Sequence, residues 1–553
     1  MKPFLNRLSG KPAKSDVITL TGGLNTCYDK SMIRDNQMPF MWNVTLHKSM
    51  SLTTRSNRTS LAWFLEDTNN WGTGEVLKMF ATSDKTLILI EKREDGAIQV
   101  YELKKDGSFL TKDYIGTVDA SYFYSITECR DSSNKYIYIS TNSKLYKYTK
   151  GIFESKFEEV VIEDNPVSGV LANHKNRLFV ANGTKLTFSN LREFDNFTID
   201  ENDTINTAGE INVTNANGDI KAIIPYDGKL MILCERSRHI LYGSSPNADI
   251  DQFTLVDFDD GIGCVSDETV TICGRQLYWM DTDMSIYRYN GSYTNKISEP
   301  YGNDNYASYG GISGITYQPS RIKKFVMSSY GDYVYIAITQ SRLSSAVNDT
   351  LLVYDTKNRV WWAEDGGFSH MTMWETDTQT PFYYRTDCLV GVTYNNDILI
   401  MNALQDSGED LLFDMETRHF ESVPIEYAFE TKTWNLGTIK KKKTLTNVWF
   451  QANADARVAV CDYWNDHNAW DKVASKLDED YLILGDMTPV HMRHNVQNPN
   501  FGLHEGGERQ RFIIPRMYMQ KINAFSIRVE GKGYGEFYLL EKEWRVKWGF
   551  MIT

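Results

Sequence analysis

From about residue 85 to residue 415, apolar and polar positions follow one grammar that keeps recurring. Its clearest copy spans residues 227–243. Asp227-Gly228 is turn chemistry, 230–234 is an apolar run, 235–238 is polar, 240–242 is apolar again, and Gly243 closes the unit. Short apolar runs bounded by turn residues predict strand, turn, strand. The same grammar appears at 136–148, 178–188, 277–289, 334–354 and 398–413, with a looser first copy at 87–101. With Leu87, Ile137, Leu178, Leu230, Leu277, Val334 and Ile398 as markers, the gaps are 50, 41, 52, 47, 57 and 64 residues. A lone hairpin is marginal in water and needs copies to pack against. A repeat of about 40–50 residues with room for four strands is the signature of a β-propeller. The pattern therefore predicts an all-β chain built on a propeller of about 6–8 irregular blades.

The flanks obey other rules. Residues 1–60 carry few periodic apolar positions and read as an extended N-terminal arm. The blades occupy 61–429. After residue 429 the pattern shifts to longer alternating runs at 445–454, 456–461, 512–517, 522–529 and 534–540, separated by the polar stretch 462–508. Residues 430–553 thus predict a C-terminal β-sandwich.

Charge narrows the function classes. With 72 acidic against 59 basic residues, the net charge of −13 argues against a dedicated nucleic-acid binder. No apolar h-region opens the chain and no run reaches membrane-spanning length. Seven scattered cysteines without a CxxC pair predict buried free thiols rather than a disulfide framework or a zinc site. His491, His494 and His504 fall in a Pro- and Gly-containing loop, and are expected to be solvated rather than metal-bound. Asp281 and Asp283, like Asp259-Asp260, sit where hairpin turns use acids as filler. No GxSxG, phosphate loop or calcium loop occurs. The sequence therefore predicts no catalytic, metal-binding or cofactor-binding residue.

A further pattern runs through the arm and the blades together. Gly22-Gly-Leu-Asn-Thr26 is followed by Ile33-Arg-Asp-Asn-Gln37. Val180-Ala-Asn-Gly183 leads into Phe188-Ser-Asn190. Ile223-Ile-Pro-Tyr-Asp-Gly-Lys-Leu-Met-Ile-Leu233, Gly261-Ile-Gly-Cys264, Tyr278-Trp-Met-Asp281 and Ile286-Tyr-Arg288 come next, and residues 432–437 precede a lysine run. In these features the chain resembles the tail nozzle or hub proteins of short-tailed bacteriophages. The resemblance implies a virion structural protein made in the host cytoplasm. It implies a homo-oligomeric ring, typically a hexamer, that extends the DNA ejection channel below the portal and adaptor and anchors fibres or tail-tip proteins. Genomic double-stranded DNA would pass through without specific binding. It implies no enzyme activity. Lys440, Lys441, Lys442 and Lys443, with Arg55 and Arg58 of the arm, are then candidate assembly contacts. The alternative from the residues is a propeller that binds or cleaves glycans through carboxylates near its axis. An intracellular interaction scaffold is a third.

Overall fold

The computed structural model describes residues 14–546 apart from the segments 47–50, 107–108, 151–154, 163–167, 259–260, 299–323, 340–346, 376–386, 402–407, 438–442, 463–489, 493–509 and 512–523 and residues 70, 121 and 248. Seven sheets follow one another along the chain, and each holds one of the seven marker residues: the first six lie on second strands, and Ile398 lies on the third strand of the last sheet. The repeat count read from the sequence is therefore the blade count. Blade 4 shows the pattern: Ile220–Tyr226, Lys229–Cys234, Arg238–Tyr242 and Thr254–Phe258 pair in chain order.

Alternation within each second strand explains why the blades stack. On Lys229–Cys234, Leu230, Ile232 and Cys234 join Phe179, Ala181 and Leu186 of blade 3 in one apolar cluster. Met231 and Leu233 point the other way, into a cluster with Leu277 and Trp279 of blade 5. Neither face of a blade can be left in water, so each sheet is buried between two neighbours. Further clusters join blades 1 and 2, blades 2 and 3, and blades 7 and 1, closing the ring.

The seam departs from the sequence expectation. The runs at 398–401 and 411–413 read as adjacent strands of one hairpin. In the structure Thr59–Ser60 from the arm lies between Ile398–Ile400 and Glu409–Phe413, antiparallel to the first and parallel to the second. Ser60 Oγ donates to Asp397 Oδ1 at 2.7 Å, and Trp71 Nε1 donates to the same oxygen at 2.9 Å. The last blade is thus completed by a strand from the segment preceding the first.

The arm also enters a nine-stranded sheet with the C-terminal strands. Phe525–Val546 is its spine. One edge carries Lys443–Asp462; the other carries, in turn, Glu426–Glu430, Leu52–Thr54 and Lys14–Thr19. The separate runs expected at 445–454 and 456–461 form one 20-residue strand, with a register shift at Ala454/Ala456 where the pattern breaks. This sheet buries Phe429, Phe525, Ile527, Val529 and Phe537 in a cluster shared with blades 5, 6 and 7. The arm and the C-terminal region, read as two units, therefore build one sheet. The run expected at 512–517 lies outside the described residues.

Candidate functional site

The ring axis is where strands from non-adjacent blades meet. Lys78 lies on the innermost strand of blade 1, Glu75–Ala81, and His370 on that of blade 7, Phe368–Glu375. A register shift immediately precedes each residue, between Val76 and Lys78 and between Phe368 and His370. A bulge of this kind re-aims the side chain that follows it. Glu268 comes from blade 5, on the 3₁₀ turn Asp267–Thr269 that leads into its innermost strand. That turn is fixed by Thr269, whose backbone N–H donates to Ser266 O at 3.1 Å and whose hydroxyl donates to the same carbonyl at 2.8 Å. Lys78 Nζ forms a short ion pair with Glu268 Oε1. His370 Nδ1 lies 3.8 Å from Glu268 Oε2. Blades 1, 5 and 7 can touch in this way only across the axis.

The cluster's charges are sorted by their surroundings. Burial alone would lower the Lys78 ammonium, but Glu268 and Asp267 outweigh it and hold Lys78 above the ordinary lysine range. Burial would likewise raise Glu268; Lys78 and His370 reverse this and keep it well below the carboxylate range. Burial, with the neighbouring Glu268 charge opposing the pull of Lys78, pushes Asp267 up to about 6. One carboxylate is therefore firmly ionised and its neighbour poised near neutrality, an arrangement able to hold a proton on the axis. Sequence reading passed over this group because its members are 78, 267–268 and 370 in the chain, joined only by the closure of the ring.

A second polar group lies within blade 4. Ser237 Oγ is 3.1 Å from His239 Nε2, and His239 Nδ1 is 2.6 Å from Asp257 Oδ1. No nucleophile–base pair was legible in the sequence, because His239 and Asp257 are joined by cross-strand register. The connectivity is that of a Ser-His-Asp triad. The exposure is reversed: His239 is 1% exposed and the serine is buried, while the Asp257 side chain is 37% exposed. Ser237 Oγ also accepts the Asn217 N–H at 2.9 Å. A nucleophile must face its substrate; here the carboxylate end faces water. The group ties a turn to the blade's outer strand.

The arm residues proposed as assembly contacts lie inside the chain. Arg55 donates from Nη1 and Nη2 to Asp410 Oδ1 and Oδ2 at 2.9 and 2.7 Å, and from Nε to Asp365 Oδ1 at 2.9 Å. Arg58 donates to Asp365 Oδ1 at 2.9 Å and to Glu364 Oε2 at 3.0 Å. Both guanidinium side chains are under 5% exposed. Burial would lower Arg55, but its acid partners raise it above its ordinary value. Burial would raise Asp365; Arg58 and Arg55 hold it down at about 2. These arginines clasp the arm to blades 6 and 7 instead of presenting charge to another molecule. Lys440, Lys441 and Lys442 lie outside the described residues, and Lys443 begins the strand Lys443–Asp462.

Asp281 accepts the Gly263 and Thr282 N–H groups at 3.1 and 2.7 Å, and Asp283 accepts that of Ser285 at 2.7 Å, which is turn chemistry. Asp259, Asp260, His494 and His504 lie outside the described residues, while His491 falls on Val490–Met492. Cys129, Cys234, Cys264, Cys273 and Cys388 are buried, and burial pushes the Cys234 and Cys273 thiols up to about 11 and Cys264 up to about 12. Among the described residues, no group of three or more His, Cys, Asp or Glu is arranged to hold a metal ion, and no helix is long and apolar enough to cross a membrane.

No protein-family model and no curated protein matches the chain. Among solved structures, it is similar to YCF48 bound to D1 peptide, at 9% identity and a TM-score of 0.34, over 60% of this chain and 92% of that one. It is also similar to Raptor from Chaetomium thermophilum, at 8% identity and a TM-score of 0.39, over 63% of this chain and 29% of that one. Likenesses this distant carry no argument about function. What the chain itself establishes is its class: an all-β protein built on a seven-bladed propeller with an additional nine-stranded sheet.

Proposed function

We propose that this chain is a structural subunit of a short-tailed bacteriophage tail, a nozzle or hub protein whose copies form a ring that prolongs the DNA ejection channel. The observation that carries the reading is the double closure of the fold. The arm completes blade 7 at Thr59–Ser60, and it also pairs with the C-terminal spine at Lys14–Thr19. Pulling the chain open requires both sets of strands to separate, which suits a part that must resist ejection forces. The motif resemblance supplies the specific identity. The filled axis adds a geometric condition. A propeller whose own axis is spanned by Lys78, Glu268 and His370 has no room there for a duplex, so DNA would pass between copies and not through one. The acidic balance of the chain favours a lumen that repels phosphates and lets them slide. The portal and adaptor proteins, fibres or tail-tip proteins, and passing DNA are the partners this reading implies.

The test is particle mass and imaging of the purified full-length chain, with a gel-shift titration against linear DNA at moderate salt. The reading expects a closed ring, hexameric by the resemblance, with a bore wider than a duplex of roughly 20 Å, and no tight DNA complex. A stable monomer, or submicromolar DNA binding that weakens steeply with salt, overturns it.

One observation favours a glycan-cleaving propeller instead. Asp267 and Glu268 share the turn that reaches the axis, where Lys78 holds Glu268 ionised and burial pushes Asp267 up, and such an unequal carboxylate pair is what glycosidic chemistry uses. Depolymerase activity on capsular polysaccharide that disappears in Asp267→Asn would establish this second reading; its absence leaves Glu268 a structural link across the axis.

A further inference from the structure

Two loops on one face of the ring, between the third and fourth strands of blades 3 and 4, form a surface that the fold itself does not use. The blade 3 loop, residues 189–208, is anchored from below. Arg177 donates to the carbonyls of Ser189 at 2.7 Å, Ile205 at 2.6 Å and Thr207 at 2.8 Å. Asp203 Oδ1 accepts the Ile205 and Asn206 N–H groups at 3.1 and 2.9 Å. The blade 4 loop, residues 243–253, is rooted by Phe253, whose ring packs against Phe179 and Phe188 of blade 3. Asn247 Nδ2 joins the loops by donating to Thr204 Oγ1 at 2.7 Å. On these fixed supports Ile199, Ile205 and Ile250 are 59%, 38% and 46% exposed. Asp200, Glu201, Asp249 and Asp251 are exposed around them, with Arg192 the one exposed cation of the two loops among their described residues. Single exposed isoleucines are ordinary; three held on bridged, pre-organised loops inside an acidic rim make a docking surface.

We infer that this surface receives the N-terminal segment, residues 1–14, of a neighbouring copy. The inference rests on the ring reading above. The segment is its chemical complement: Lys2, Arg7, Lys11 and Lys14 with no acid, and Phe4, Leu5 and Leu8 between them. In an acidic chain, a stretch that is both basic and apolar matches a rim of carboxylates around isoleucines. The ring supplies the neighbour, and docking on the same chain is the outcome the isotope experiment separates from it. Lys14 pairs with Trp544 in the nine-stranded sheet, which is cored on blades 5, 6 and 7, whereas the loops belong to blades 3 and 4 across the ring.

The experiment mixes full-length chain of two isotopic compositions, applies a zero-length carbodiimide cross-linker and records particle mass in parallel. The expected result is mixed-isotope peptides joining Lys2, Lys11 or Lys14 to Asp200, Glu201, Asp203, Asp249 or Asp251. Their yield should fall at least about fivefold in the double variant Ile205→Ser, Ile250→Ser, which alters only exposed side chains. A ring whose N-terminal lysines cross-link elsewhere, or only within one chain, overturns the docking surface and leaves the ring reading intact. Cross-links to these loops from Lys440–Lys443 in place of the N-terminal lysines also overturn it. A monomeric particle without mixed-isotope links overturns the ring reading and this inference together.

Discussion

Replacing Arg55 with Ala removes the centre of the clasp that holds the arm against blades 6 and 7. Its guanidinium is 1% exposed and bonds both oxygens of Asp410, whose side chain is 11% exposed. Once the arginine is gone, Asp410 is left buried without its counter-charge, and breaking such a pair costs about 3–5 kcal/mol. Asp365 adds little to this sum, because at 39% exposure water screens it. At about 1.4 kcal/mol per decade, local opening of the arm should become more frequent by roughly two to four decades. Hydrogen exchange reads this directly. The Leu411 N–H is bound to Arg58 O at 2.8 Å and is protected only while the arm is seated. Its exchange should accelerate by that factor, while amides of the blade 3 strand Arg177–Asn182 keep their rates. The second variant, Asp410→Asn in the Arg55→Ala background, should recover part of the loss, since the penalty resides in the orphaned carboxylate. Acceleration below about one decade, or a further loss on adding Asp410→Asn, would refute the argument that this buried charge pair seats the arm.

Gly23→Ala should release the arm from blade 6, because Gly23 has φ +69° and an added Cβ would lie 2.8 Å from Val360 Cβ; limited proteolysis near residue 30 should speed up, and an unchanged cleavage rate counts against it. Leu230→Ala should lower stability by about 2–5 kcal/mol through the cavity left between blades 3 and 4, measured as a shift in the urea midpoint; no shift would place that side chain outside the core. Asp267→Asn should stabilise the protein at pH 8 and have little effect at pH 4. The folded-state value of about 6 lies above the ordinary 3.9, so native protein binds the extra proton and loses stability as pH rises through that window. The gain is at most about 3 kcal/mol, reduced by solvent screening of a half-buried group. An equal effect at both pH values would remove burial of the charge as its cause.

The blades were legible because each one is local. The strand pair around Leu230 and Arg238 is written in consecutive residues, and seven such units could be counted without knowing how they stack. Gly22-Gly23 stood out in the arm's sequence, but their reason was not legible, since Gly23 is dictated by Val360 and Trp361 of blade 6. Thr59–Ser60 could not be read as a strand at all. Two residues carry no periodicity, and only the gap between Ile398–Ile400 and Glu409–Phe413 makes them one. The axial group was invisible for the same reason: Lys78, Glu268 and His370 each look like an ordinary surface charge until the ring brings them together. Arg55 and Arg58 looked like free charges on an extended arm, yet their acid partners lie more than 300 positions further on.

The clasp also sets an order of events during synthesis. Arg55 and Asp410 are 355 positions apart, so at about 5–20 residues per second the arm waits roughly 20–70 s between leaving the ribosome and meeting the blade it completes. During that interval blades 1 to 6 can stack on one another as they emerge, but the stack remains an open arc with two unsatisfied apolar faces. The arm meanwhile carries two arginines destined for burial, which in the nascent chain keep it hydrated. Completion of the last blade is therefore a late step of high contact order. A chain halted before residue 410 has neither Asp410 nor the last strands of blade 7, and quality control that recognises exposed blade faces would tell such an arc from a finished ring.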